Sequence, residues 1–166
     1  HSGQVLATHN GDAAVEPASI TKVMTVYVAF DELKSGHIAL DDEVLISERA
    51  WRSEGSRSFV EVGKRVRLED LLHGIIIQSG NDASVALAEH IAGTEDAFVQ
   101  LMNQYATELG MKDTNFVNST GWPDKQHLMT ARDIAILAAA VISEFPESYA
   151  WYSEKEYTYN NIKQYN

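Results

Sequence analysis

The chain contains no cysteine in 166 residues. That excludes disulfide bonds and thiol chemistry and leaves the redox compartment open. Positive charge is scarce: 13 Lys and Arg stand against 24 Asp and Glu, a net charge of -11. Phosphate backbones need a basic footprint, so nucleic acid is not an expected partner. No apolar run reaches transmembrane length, and no secretory-signal pattern opens the chain. An exported precursor loses its signal, so this second absence assigns no compartment. His73, His90 and His127 are far apart, with no H-E-x-x-H pair, which removes the basis for a zinc peptidase. No metal or cofactor is expected. Internal repeats, low-complexity segments and domain linkers are also missing. What is present suits a single domain with a substantial core: 45% hydrophobic residues over 166 positions.

Periodicity sets out the elements. Residues 3–7 read as a short strand, with a turn at Asn10-Gly11-Asp12. A helix starts after Pro17 and runs to about Leu33; Ile20, Val23, Met24, Tyr27 and Val28 form its apolar stripe and Gly36 ends it. Val44 to Ile46 and Phe59 to Val62 read as strands, with a turn at Gly63. Arg52 to Ser58 between them is a polar, glycine-bearing loop of the mobile kind. Leu68 to Gln78 and Asp82 to Ala92 are helices. Thr94 caps another, carrying Phe98, Leu101, Met102, Tyr105 and Leu109 at helical spacing before Gly110. Asn118 to Asp124 is a loop. Thr130 with Asp133 resembles a capping pair for a helix that runs to Pro146. Tyr157-Thr158-Tyr159 alternates with charge as a strand does. The balance is α+β, rich in helix and sparse in strand.

The chemistry gathers around Ser19 and Lys22, in Pro17-Ala18-Ser19-Ile20-Thr21-Lys22. Three positions apart on a helix, their side chains share one face. A serine hydroxyl is a weak nucleophile until a base takes its proton, and a lysine serves when burial or a nearby cation lets its amine deprotonate. Alone the pair is weak evidence, because S-x-x-K arises by chance roughly once in two such chains. Ser79-Gly80-Asn81, after the apolar run Leu71 to Gln78, adds a tight polar turn between two helices. S-x-x-K followed by S-x-N is the motif order of acyl-serine penicillin-recognising enzymes.

Longer stretches carry a resemblance. Ser2 to Leu6, Pro17 to Thr25, Gln78 to Ala83, Glu95 to Phe98, Gly110 to Phe116, Thr130 to Asp133 and Glu154 to Tyr157 occur in family order over nearly the whole chain. Together they resemble the D-alanyl-D-alanine carboxypeptidase branch of the low-molecular-mass penicillin-binding proteins. The resemblance implies a penicillin-binding protein/β-lactamase-like fold, a helical lobe packed on an antiparallel sheet. It implies a substrate too, a peptidoglycan stem peptide ending in D-Ala-D-Ala, with β-lactam antibiotics acylating the same serine. Ser19 would be the nucleophile, Lys22 the base and Ser79 a proton relay to the leaving amine. Asn81 would bond the substrate amide or hold Lys22, Gly80 would make room for the turn, and the Ser19 backbone N–H would be one oxyanion donor.

One family motif is missing. No lysine here precedes Thr-Gly, although the family places Lys-Thr-Gly on an edge strand beside the site. Residues 1–166 are therefore expected to be the N-terminal and central part of a single catalytic domain. The remaining C-terminal part would be the partner for stable folding and turnover, and an inner-membrane segment of a periplasmic enzyme would also lie outside. Peptidoglycan endopeptidase, class A-like β-lactamase and a non-catalytic binding module of the same fold are the alternatives. The resemblance puts the 52–58 loop at the rim of the site. Asp82 is expected as a helix cap, Arg132 and Asp133 as structural residues at a helix start, and His73 as a core or boundary residue. Trp122 is left between core and cleft.

Overall fold

A computed structural model describes residues 5–166. The anticipated first strand falls partly on Gly3 and Gln4, outside the described residues. Val5 to Ala7 form no strand, and Leu6 is 91% exposed. Seven α-helices carry the described fold: α1 (Thr21–Lys34), α2 (Glu48–Trp51), α3 (Leu68–Gln78), α4 (Asn81–Ala92), α5 (Glu95–Leu109), α6 (Ala131–Glu144) and α7 (Pro146–Tyr149). Two antiparallel hairpins accompany them. β1 (Glu43–Leu45) pairs with β2 (Arg65–Arg67), and β3 (Glu156–Tyr159) with β4 (Ile162–Tyr165).

α1 is the central post. Met24, Val26, Tyr27, Val28, Ala29 and Phe30 are all buried, so the helix is enclosed almost all round instead of along one stripe. The anticipated stripe is wrong at its start: Ile20 is 43% exposed and Val23 only partly covered, because that face borders a cleft. α3, α4, α5 and α6 pack around the post through Leu71, Leu72, Leu87, Phe98, Met102 and Leu137.

Local chemistry sets the helix starts. The Thr94 hydroxyl accepts from Ala97 N, and the Thr130 hydroxyl from Asp133 N, each at 3.1 Å. Each such cap is worth about 1 kcal/mol. The expected reciprocal half of the Thr130/Asp133 pair does not form. Asp133 instead accepts from Asp113 N and the Thr114 hydroxyl, which holds the preceding loop to α6. Its neighbour Arg132 pairs with Asp12 across the surface.

The strand expected at Phe59 to Val62 is absent. Phe59 adopts φ +61, which breaks an extended run, and the pairing shifts on to Arg65–Arg67. The β3–β4 hairpin turns on Asn160 and Asn161, both at positive φ as a type I′ turn demands. β4 was not legible because only Gln164 of its residues is buried. The hairpin covers α3, and His73 is sandwiched between Trp151 and Tyr157 at ring separations of 4.6 and 4.5 Å. That makes His73 the boundary residue anticipated. Among the described residues no helix is long and apolar enough to cross a membrane.

Candidate active site

Ser19 lies in a short 3-10 turn (Ala18–Ile20) that leads into α1. Ala18 before it has φ +48, a conformation that costs an L-residue about 1–2 kcal/mol and aims the next residue outward. One turn on, Lys22 is almost wholly buried, and its Nζ donates to Ser19 Oγ at 3.5 Å and to the Thr120 carbonyl at 2.7 Å. Burial disfavours the ammonium form and brings the Lys22 pKa down to about 8.

The second serine arrives from the end of α3. Ser79 occupies the left-handed helix-capping position, φ +57 and ψ +37, which usually falls to glycine. This strained geometry brings the Ser79 hydroxyl to 3.0 Å from Ser19 Oγ, and Ser79 donates. The turn is tight beneath it. A Cβ at Gly80 would lie 2.0 Å from Ser58 Oγ and 2.9 Å from Ser58 N, so only glycine fits without displacing backbone. Asn81 then opens α4. Its Nδ2 donates to the Glu54 carbonyl at 2.6 Å, and its N–H to the Ser56 carbonyl. Asn81 and Lys22 are therefore not hydrogen-bonded; the partner that holds the amine is Thr120.

The polar 52–58 loop is strapped to this corner. Ser56 Oγ donates to Gln78 O, and fully buried Asp82 accepts from Ser58 N at 2.7 Å and Val60 N at 3.2 Å. Asp82 also takes the Ala83 N–H, but most of its bonding goes to the strap instead of to its own helix start. Gln164 of β4 donates to Ser58 O from the other side.

Opposite the corner, the Asn118 to Trp122 loop closes over α1. Asn118 Oδ1 gathers the N–H groups of Thr120, Gly121 and Trp122. Below it His127 Nδ1 accepts from Val117 N, so its proton sits on Nε2 and is donated to Thr21 Oγ1 at 2.7 Å. Burial lowers the His127 pKa and keeps the ring neutral. Trp122, 48% exposed, stands at the rim beside Asn81 and Thr120, not in the core. Ser19, Lys22 and Ser79 line a cleft of about 300 Å³ with an apolar wall of Ile20, Val23 and Ile76. His73, His90 and His127 have separate partners and do not meet.

Ser19, Lys22 and Ser79, singled out in the sequence, thus meet at one point, with Gly80 and Asn81 just behind. Sequence reasoning missed the Thr120 and Glu54 carbonyls, because main-chain acceptors leave no residue signature. It also missed Asn118, for which Asn-x-x-Gly was an available turn signal.

A hydroxyl bonded to a second hydroxyl, beside an amine that deprotonates near neutrality, is equipped for acyl transfer. The surrounding fold is that of the penicillin-binding proteins. It superposes on penicillin binding protein 5 from Haemophilus influenzae with a TM-score of 0.97 at 45% identity, covering 99% of this chain and 49% of that one. The chain belongs to the D-alanyl-D-alanine carboxypeptidase family, whose model matches residues 1–166. Similar sequences include the D-alanyl-D-alanine carboxypeptidases DacA of Haemophilus influenzae, 45% identical over 100% of the chain, and DacC of Escherichia coli, 44% over 99%. The chain spans 43% of the length of each.

Proposed function

We propose that this chain is the nucleophile-bearing part of a serine D-Ala-D-Ala carboxypeptidase. Its substrates are peptidoglycan stem peptides ending in D-Ala-D-Ala, and β-lactams acylate the same residue. Ser19 Oγ attacks the carbonyl of the penultimate D-Ala while Lys22 takes its proton. The carbon–nitrogen bond breaks, terminal D-Ala leaves with a proton relayed through Ser79, and water hydrolyses the ester on Ser19. The Ser19 N–H is one donor to the oxyanion, and Asn81 lies at the corner where the substrate amide passes. The observation that carries this reading is the convergence of Ser79 Oγ and Lys22 Nζ on Ser19 Oγ, at 3.0 and 3.5 Å.

In this reading residues 1–166 form the first and central part of one catalytic domain. A further part of the polypeptide supplies Lys-Thr-Gly, which binds the substrate carboxylate. The enzyme works in the periplasm, tethered to the inner membrane by a segment outside this chain.

The test is a fluorescent penicillin applied to the protein as its gene encodes it, with peptide mapping of the adduct. A covalent adduct on Ser19, lost in Ser19→Ala, is the expected result. An adduct elsewhere, or none, overturns the reading. Release of D-alanine from a stem peptide then distinguishes a carboxypeptidase from an endopeptidase or a β-lactamase.

A pH dependence follows. Lys22 must be neutral to accept the Ser19 proton, and its pKa of about 8 lies below the ordinary 10.5. The acylation rate should fall as pH drops through about 8 and level off above it. A limb near the ordinary lysine value would show the amine is not buried as described.

A further inference from the structure

We propose that Glu95 is a positioning residue for Lys22, acting through the Ser119-Thr120 segment, whose second carbonyl is the amine's partner. This rests on the reading of Lys22 as the base. Glu95 begins α5, directly after its Thr94 cap, and is 7% exposed. One carboxylate oxygen accepts two bonds from Ser119, from its N–H at 3.0 Å and its hydroxyl at 2.7 Å. The other accepts from Arg49 at 2.7 Å, which keeps the carboxylate paired at the edge of the core.

The carbonyls of the same segment face α1. The Ser119 carbonyl accepts from Thr25 Oγ1 at 2.7 Å, and the next carbonyl, that of Thr120, accepts from Lys22 Nζ at 2.7 Å. Thr25 and Lys22 lie three residues apart on one face of α1, so two consecutive carbonyls read one helical face. Those carbonyls keep their spacing and tilt because Glu95 grips the N–H and hydroxyl behind them. The amine has only two hydrogen-bond partners among the described residues, Ser19 Oγ and Thr120 O. Its distance from the nucleophile is therefore set by where the second of these is held. Without Glu95 the buried Ser119 N–H and hydroxyl lack their acceptor, and the Ser119-Thr120 segment must shift to find another. The carbonyl of Thr120 shifts with it.

The experiment uses the protein as its gene encodes it, with lysine labelled by ¹³C at Cε. The Lys22 resonance, assigned by its loss in Lys22→Ala, is titrated in the unmodified protein, Glu95→Ala and Glu95→Gln. Acylation by a fluorescent penicillin is timed in parallel. Expected are a displaced Lys22 midpoint and about tenfold slower acylation in Glu95→Ala, since a misplaced catalytic group costs one to two decades. Glu95→Gln keeps an oxygen for Ser119 and should restore both. If Glu95→Ala does not fold, Glu95→Asp, whose carboxylate is one methylene short of Ser119, takes its place with the same expectation. An unmoved Lys22 midpoint overturns the proposal whatever happens to the rate, because a merely structural role lowers stability without touching the amine. A moved midpoint with unchanged acylation supports the positioning and instead removes Lys22 from the role of base.

Discussion

On the reading proposed above, Lys22→Ala should slow acylation of Ser19 by roughly 10² to 10⁴, the contribution of a positioned general base. Two groups reach Ser19 Oγ: the Ser79 hydroxyl at 3.0 Å, which donates to that oxygen, and the Lys22 amine at 3.5 Å, the more basic of the two and so the proton acceptor. The fold should survive the change. Below pH 8 the native chain holds a buried ammonium that its surroundings disfavour, so removing it also removes a desolvation cost. The linkage has the matching sign: between about 8 and 10.5 the unfolded chain binds the lysine proton and the native chain does not, so stability rises with pH there. Stopped-flow labelling at pH 8.5, beside a thermal melt, checks both statements. A variant that acylates at the original rate would show that Lys22 is not the base.

Gly121→Ala should be the most damaging small substitution in the site. Gly121 has φ +82, and a Cβ there would lie 1.8 Å from the Ala18 carbonyl oxygen and 2.4 Å from its carbon. The positive φ costs about 1–2 kcal/mol in a non-glycine residue. Overpacking against backbone adds about 1–3 kcal/mol, because neither Ala18 nor Gly121 has a rotamer to yield. Loss of about 3 kcal/mol in urea denaturation is expected, with a fall in acylation, since the displaced partners are the residue before the nucleophile and the residue after the amine's carbonyl. A loss under about 1 kcal/mol would mean that the two segments are not in contact.

These two substitutions mark what the sequence could and could not convey. That Ser19, Lys22 and the Ser79 corner would meet was legible, because the motifs that carry them set particular side chains at particular spacings. The helices were legible where one face is apolar, as in α5, or where an apolar run lies between clear boundaries, as in α3, whose bounds match the reading. α1 was misread along its first turn because a post enclosed on nearly all sides has no stripe, and its exposed Ile20 serves the cleft. Phe59 to Val62 alternates like a strand, yet a positive φ at Phe59 and the pull of Asp82 on two amides make it a strap. Asn81 was expected either to bond the substrate amide or to hold Lys22, and no bond to Lys22 forms. The Thr120 carbonyl holds the amine instead, and a main-chain carbonyl is present whatever residue stands at 120.

Ser19 meets Ser79 from 60 residues away, Lys22 meets Thr120 from 98, and Thr21 meets His127 from 106. A ribosome or an export channel delivers such a chain from one end, so Ser19 emerges long before the carbonyl that holds Lys22. Contacts this distant in sequence form late and slowly. On the proposed reading a nascent chain is thus unarmed by its own topology, and the hydroxyl would gain its reactivity only once the surrounding lobe has closed.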